Sequence, residues 1–190
     1  MPKNFYIADW HYDHANVLHY DNRPFNTVDE MNDTLVDRWN SAVSNEDTVY
    51  ILGDMFWCGP TKAVPILQKL NGRKVLIKGN HDRINAEFAQ QFDHITDYEE
   101  ITDDGNFIVL CHYPIVCFRN HTREQWYHLY GHVHNSFEAN MTEHSRRLME
   151  ELYGRRCCMY NVGAMMPYMD YTPRTLPEIL TLGDKVANLA

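Results

Sequence analysis

The stretch Val75-Leu76-Ile77-Lys78-Gly79-Asn80-His81-Asp82 couples an apolar run to three polar side chains in succession. Val75-Leu76-Ile77 reads as a buried strand, and a strand that stops on Asn, His and Asp presents those groups instead of burying them. Asn80 offers a carbonyl oxygen to a metal, His81 can ligate or transfer a proton, and Gly79 lets the backbone turn sharply without a Cβ. One such strand end proves little. Its weight comes from other apolar runs of the same chain that end in the same way.

Upstream, residues 5–8 read as a strand running into Asp9-Trp10-His11-Tyr12-Asp13-His14. Thr27-Val28-Asp29-Glu30 has the form of a capping box, ahead of a helix with Val28, Met31, Leu35, Trp39 and Ala42 or Val43 on one face, ending by Ser44-Asn45. Residues 48–52 form a second strand closing on Gly53-Asp54. A helix over 61–70, interrupted near its start by Pro65, leads to the strand at 74–78, and a short helix follows over 84–91. This alternation of strand and helix is the signature of a largely parallel sheet. Downstream the character changes. Residues 97–102 and 107–111 flank Asp103-Asp104-Gly105-Asn106, a strong hairpin turn. A strand at 126–130, a charged amphipathic helix over 142–152 and a late strand at 157–162 follow. Pro167, Pro173 and Pro177 then punctuate the tail before a last short helix. There is no repeat, linker or low-complexity segment.

The length of 190 residues suits one domain spanning 1–190, and 44% hydrophobic with 13% aromatic residues supports a sizeable core. No run is long and apolar enough to span a bilayer. Met1-Pro2-Lys3-Asn4 leads into a strand with no signal-peptide pattern, so no membrane association is expected. The five cysteines are odd in number, lack a C-x-x-C pair and include adjacent Cys157-Cys158, which points to a reducing cytoplasm and to packing roles. A net charge of −9 repels a phosphate backbone, and no basic track for a nucleic-acid groove is visible. The eleven histidines are the unusual count, and some of the carboxylates are candidates for neutralisation by a bound cation.

Collected by position, the polar groups past the strand ends are Asp9-x-His11, Gly53-Asp54, Gly79-Asn80-His81-Asp82, His112 and Gly131-His132-Val133-His134. In open α/β sheets, sites form beyond the carboxyl ends of the strands, so groups far apart in sequence converge there. Asp, Asn and His together suit borderline first-row divalent ions, and seven such ligands are too many for one ion. Two ions sharing a carboxylate is the economical reading.

This order of motifs, D-x-H, G-D, G-N-H-D, H, G-x-H, resembles the calcineurin-like metallophosphoesterase superfamily over Asp9 to His134. The texture of Asp9 to Phe25, with Asn22-Arg23-Pro24-Phe25 before a capped helix, is most similar to its small single-domain bacterial and phage members. The resemblance implies an α/β fold, a four-layer α/β/β/α sandwich of two mixed β-sheets flanked by helices. It implies two divalent metal ions, drawn from Mn, Fe, Zn or Ni with Mn favoured. Asp9, His11, Asp54 and His134 would hold one, and Asp54, Asn80, His112 and His132 the other, with Asp54 bridging. In that family a hydroxide between the two ions attacks the phosphorus of a phosphate ester. His81 is left over from ligation as the general acid, with Asp82 beside it to tune or orient it. Two departures stand out. The family pattern G-D-x-x-D is replaced by Gly53-Asp54-Met55-Phe56-Trp57, and Tyr12-Asp13-His14 stands where the small relatives have a glycine before the next histidine, with Asp13 near the expected phosphate position.

The substrate expected is a small phosphate ester, with nucleotides among the candidates and a phosphodiester favoured over a phosphomonoester because no cluster of cations is evident. A non-catalytic metal-binding scaffold of this fold is the alternative from another class, and the presence of His81 counts against it. The sequence specifies no oligomeric state. His14, three residues from His11, is a candidate substrate contact. The loop 114–125 carries Arg119-Asn120-His121-Thr122-Arg123, which either brings positive charge over the site or is a solvated loop. Trp10, Tyr12, Trp57 and Tyr113 are candidates for an aromatic rim. His19, His94, His121, His128 and His144 read as surface or packing residues, and Arg146, Arg147, Arg155 and Arg156 as a solvated helix face.

Overall fold

The computed structural model describes residues 1–187. Its first sheet runs β1 (Asn4–Ile7), β2 (Thr48–Ile51), β3 (Arg73–Ile77) and β4 (His94–Thr96) in that order, all parallel. An antiparallel bridge between Tyr6 and Arg174 lies along β1. Buried runs such as Val75-Leu76-Ile77 are what a parallel sheet covered on both faces demands. The second sheet runs β5 (Tyr98–Asp103), β6 (Asn106–Cys111), β7 (Trp126–Tyr130) and β8 (Met159–Asn161) and is mixed: β5 and β6 are antiparallel, the rest parallel. The β5–β6 hairpin closes through Asp104 (φ 47°) and Gly105 (φ 81°), the two left-handed residues a tight primed turn requires.

The two sheets stack. Ile108, Leu110, Leu129 and Tyr160 of the second sheet belong to the same core as Ile7, Ile51 and Leu76 of the first. The alternate residues Val109, Tyr130 and Met159 point the other way, where Ala139 and Met149 of α5 (Phe137–Tyr153) cover them. On the first sheet, α2 (Val28–Ala42) buries Met31, Leu35 and Trp39, and α3 (Pro60–Leu67) buries Ala63, Val64 and Leu67. Successive right-handed crossovers that step in one direction put both helices on one face, so the layers read α/β/β/α. Ala8 pairs with Gly163, and its N–H donates to the Val162 carbonyl at 2.8 Å, which brings the carboxyl end of β1 against the segment after β8. Four-residue helices α1 (Val17–Tyr20) and α4 (Ala86–Ala89) and the C-terminal α6 (Leu176–Ala187) complete the described chain. None of its helices is long and apolar enough to cross a membrane.

Local chemistry explains where the elements begin. Thr27 Oγ1 accepts the Glu30 N–H at 3.1 Å, the capping box read from the sequence. Three starts differ from expectation. α5 begins at Phe137, five residues before the predicted position, because Ser136 Oγ accepts the Glu138 N–H; its inner face is Ala139, Thr142, Arg146 and Met149, with little apolar periodicity to betray it. α6 begins at Leu176 with Pro177 in its first turn, where a missing N–H costs nothing. At that end the Thr175 N–H and hydroxyl both donate to the Glu178 carboxylate, at 2.9 and 2.7 Å. α4 is shorter than 84–91, capped by Asn85 accepting the Phe88 N–H. α1 and β4 were not expected; four and three residues are too few to show a period.

Some side chains also lie elsewhere than predicted. Trp10 is fully buried against Trp39 and Phe56 and is core, not rim. Arg146 turns inward and pairs with Glu143 at 2.7 Å and Glu150, whereas Phe137, Met141, Leu148 and Leu152 stand outward on the face expected to be charged. Cys117 is exposed, outside the packing role assigned to the cysteines. His128 is buried beneath the loop 114–125: its Nδ1 donates to the Val109 carbonyl and its Nε2 accepts the Ile115 N–H, both at 3.0 Å.

Burial depresses the His128 imidazole to about 4, so it is neutral in the folded chain and free to charge near 6.5 when unfolded. Its contribution is therefore complete above pH 6.5 and lost as the pH falls from there toward 4, roughly 3 kcal/mol across that interval. Thermal melts should show stability falling between pH 6.5 and 4, and His128→Gln should flatten that slope. An identical slope in the variant would contradict the assignment.

Candidate metal centre

The predicted site residues all lie just past strand ends: Asp9 and His11 after β1, Asp54 after β2, Asn80 and His81 after β3, His112 after β6, and His132 and His134 after β7. Two glycines set the spacing. A Cβ on Gly79 would stand 2.2 Å from Asp54 Oδ1, and one on Gly131 would stand 2.4 Å from Asp9 Oδ2. Gly79 is absent from the positive-φ residues, so space for Asp54, not a sharp turn, is what excludes a side chain there.

The backbone around the site is strained. Asp9 (φ 51°), His11 (51°), Asp54 (53°), His132 (70°) and His134 (46°) are all left-handed, five of the seven predicted ligands. Each costs on the order of 1–3 kcal/mol and persists only where the surroundings over-determine it. Here the Asp9 N–H donates to the Gly53 carbonyl at 3.0 Å and the His11 N–H to the Asp54 carbonyl at 3.1 Å, locking the two loops side by side. Asp82 completes the lock: its carboxylate accepts the N–H groups of Gly79 (2.8 Å), Asp54 (3.0 Å) and Met55 (3.0 Å). By accepting these N–H groups Asp82 shapes the loops that carry Asp54 and His81.

The donor atoms confront one another. His112 Nδ1 lies 2.7 Å from the Leu52 carbonyl, which can only accept, so Nε2 of the neutral ring carries a lone pair. That nitrogen faces Asn80 Oδ1 at 3.1 Å and Asp54 Oδ2 at 3.6 Å. His134 Nδ1 is 2.8 Å from Asp21 Oδ1, and its Nε2 faces His11 Nε2 at 3.1 Å and Asp9 Oδ1 at 3.4 Å. Acceptors aimed at acceptors in a buried site ask for a cation or a proton between them. The ligand atoms of Asp9, His11 and His134 lie within 4.8 Å of one another, as do those of Asp9, Asp54 and His112, so the residues fit two adjacent divalent ions. Asp9 is common to both groups, where the resemblance gave sharing to Asp54. His132 stands outside both, its ring 5.1 Å from that of His112 and its N–H donating to Asp9 Oδ2 at 3.0 Å.

Electrostatics record the same crowding. Burial, then His134, pull His11 well below the ordinary imidazole range, and burial, then His112, lower His132. Burial also raises Asp54. It works against charge on His134, yet hydrogen bonding to Asp21 and Asp9 outweighs it and pushes that imidazole up to about 10. Burial alone would raise Asp21, but His134 and Arg23 hold it low.

Asp21 and Arg23 are the functional neighbours that sequence reasoning missed. Arg23 is buried, and its guanidinium donates to the Asp9 and Trp10 carbonyls, each at 2.9 Å, and to Asp21 Oδ2 at 3.0 Å. One cation thus fixes both the Asp9 loop and the carboxylate that orients His134. The run Asn22-Arg23-Pro24-Phe25 was visible as a family texture; its task was not.

Beside these groups opens a cleft of about 430 Å³, bounded by His11, His14, Tyr20, Trp57, His81 and His134 among others. His14 stacks on Trp57, with ring centroids 3.8 Å apart and planes 4° from parallel. The exposed His81 ring lies 4.9 Å from Trp57 and 6.1 Å from His11. Tyr113 is exposed against His132. Arg119 is not over the cleft: it pairs with Glu100 at 2.7 Å and lies over the Trp126 ring. Asp13 does not line the cleft either, and its N–H donates to Asn32 Oδ1.

A family model described as calcineurin-like phosphoesterase matches residues 5–159. Over 90 residues the chain is 46% identical to an uncharacterized protein of Methanocaldococcus jannaschii, a match covering 46% of this chain and 51%, about half, of that relative. It is 28% identical over 180 residues to the Gene 66 protein of Mycobacterium phage L5, covering 78% of this chain and 85% of the other. Among solved structures, a protein of unknown function from Aquifex aeolicus is similar with a TM-score of 0.70 at 26% identity, over 96% of this chain and 100% of that one.

Asp21→Asn should weaken binding of the cation nearest His134 by about 10–100-fold, because the partner that orients a ligating histidine is lost. Calorimetric titration with Mn²⁺ reads this directly, and an unchanged isotherm would contradict the role given to Asp21.

Proposed function

The chain belongs to the calcineurin-like phosphoesterase family, and on that premise we propose that it hydrolyses a small phosphodiester at a dinuclear centre, with His81 as general acid. Asp9, His11, Asp54 and His134 would hold one divalent ion and Asp54, Asn80, His112 and His132 the other; Asp9 belongs to both of the groups whose ligand atoms converge, and His132 to neither. This mixed set of carboxylate, amide and imidazole donors suits a borderline first-row divalent ion, Mn, Fe, Zn or Ni, of which Mn²⁺ is the one the resemblance favours. Such ions supply an acidified water and neutralise charge on the phosphoryl oxygens.

The observation that carries the assignment of His81 is its setting. It is exposed at the rim of the centre, and among the described residues no group hydrogen-bonds its imidazole, so the ring is available to a substrate. Its backbone N–H donates to Asp54 Oδ1 at 2.9 Å, which ties the proton donor to the ligand set. As the bond from phosphorus to the leaving oxygen breaks, His81 gives that oxygen its proton.

A diester is favoured by the lining of the cleft. Among the described residues bounding it there is no lysine or arginine, while Asp21 and Glu138 are present, and Arg23 is committed behind Trp10 and Asp9. A phosphodiester carries one negative charge where a monoester carries two, and the described lining offers no lysine or arginine to the second. His14 acts by backing Trp57, and the five free cysteines agree with a reducing cytoplasm.

His81→Ala should retain bound metal and lose turnover by roughly 10²–10⁴-fold for alkyl leaving groups, and by much less for activated aryl groups that depart without a proton. Equal losses for both would contradict the general acid. Comparing bis-aryl with mono-aryl phosphates tests the other half: faster turnover of the monoester would overturn the preference for a diester.

A further inference from the structure

The cleft beside the centre is asymmetric. Trp57 is 41% exposed, Tyr20 73% and His14 only 7%, so the indole stands in the cleft with a buried ring stacked behind it. Tyr20 meets His14 edge-on at 6.4 Å. Trp57 occupies the place where the resembled pattern has an acid. The lining also includes Asn135, Ser136 and Glu138. The Ser136 hydroxyl is spent on the Val133 carbonyl and the Glu138 N–H, whereas no described group hydrogen-bonds the Glu138 carboxylate.

An exposed indole held rigid by a stacked partner loses little freedom when a second ring lies on it, and its position 4.9 Å from the His81 ring puts it on the side from which a proton reaches the departing oxygen. A volume of about 430 Å³ admits a nucleoside-sized group. The absence of lysine and arginine from the described lining disfavours a leaving group with further phosphates, and the Glu138 carboxylate suits one that offers hydroxyl or amino hydrogens. We propose that Trp57, backed by His14 and flanked by Tyr20, is a stacking subsite for a planar ring on the leaving group, with a nucleoside as its source. This rests on the phosphodiesterase reading above and names the substrate class for that site.

The test uses the Mn²⁺-loaded full chain and methyl p-nitrophenyl phosphate as reporter, with competitive inhibition by AMP, ribose 5-phosphate, phenyl phosphate and methyl phosphate. Wild type should bind AMP about tenfold more tightly than ribose 5-phosphate, Trp57→Ala should abolish that ratio, and Trp57→Phe should keep most of it. Equal inhibition by AMP and ribose 5-phosphate in wild type, or a ratio unchanged in Trp57→Ala, would overturn the subsite. A gain for phenyl over methyl phosphate without one for AMP would overturn the nucleoside as source. The two readings fail separately: absence of reporter turnover would defeat the phosphoesterase reading, whereas quenching of Trp57 fluorescence by AMP, lost in Trp57→Phe, still reads the stack.

Discussion

Buried oxygen and nitrogen acceptors pointing at one another are the constraint on which the rest of the chain depends. Asp9 is fully buried and Asp54 is 2% exposed, and the Nε2 edges of His112 and His134 turn toward them. Removing ionised carboxylates from water is expensive unless they are paired, and here Asp9 and Asp54 each accept one backbone N–H, from His132 and His81, while Asp9 Oδ1 and Asp54 Oδ2 face the His134 and His112 rings. A cation shared among them converts that repulsion into the reason for assembling the site. This is why a chain carrying a net charge of −9 can concentrate acids at the ends of its strands.

Holding such a cluster open falls to groups that never face the substrate. Asp82 spends its carboxylate on three backbone N–H groups, Arg23 spends its guanidinium on two carbonyls and Asp21, and five left-handed residues are kept in place between them. The sandwich provides the frame: parallel strands in both sheets aim their carboxyl ends one way, and the pairing of Ala8 with Gly163 brings the two sets of ends together. Rigid ligands on rigid strand ends are what a reaction governed by position and charge requires.

Much of this was legible in the linear chain because each ligand follows its strand directly. The run 75–82, the capping box at Thr27 and Glu30 and the hairpin at Asp104-Gly105 each encode their structure within a few residues. What escaped depends on distant partners. Asp21 meets His134 across 113 positions, Asp82 acts on backbone that any residue would supply, and Trp57 and His14 form one stack from two separate loops. Trp10 sat beside a ligand and looked like a rim residue, yet it is the core that supports one. The helix from Phe137 was misplaced because Met149 is the one large apolar residue among those facing its sheet, beside Ala139, Thr142 and Arg146, while Phe137, Met141, Leu148 and Leu152 face outward.

We propose that two cations share one site. Electron paramagnetic resonance of the chain loaded with two equivalents of Mn²⁺ tests it most directly, because ions about 3.5–4 Å apart are exchange-coupled. The account predicts a coupled spectrum that gives way to isolated-ion signals in His134→Ala. Only uncoupled Mn²⁺ lines in the wild-type chain at that loading would contradict it.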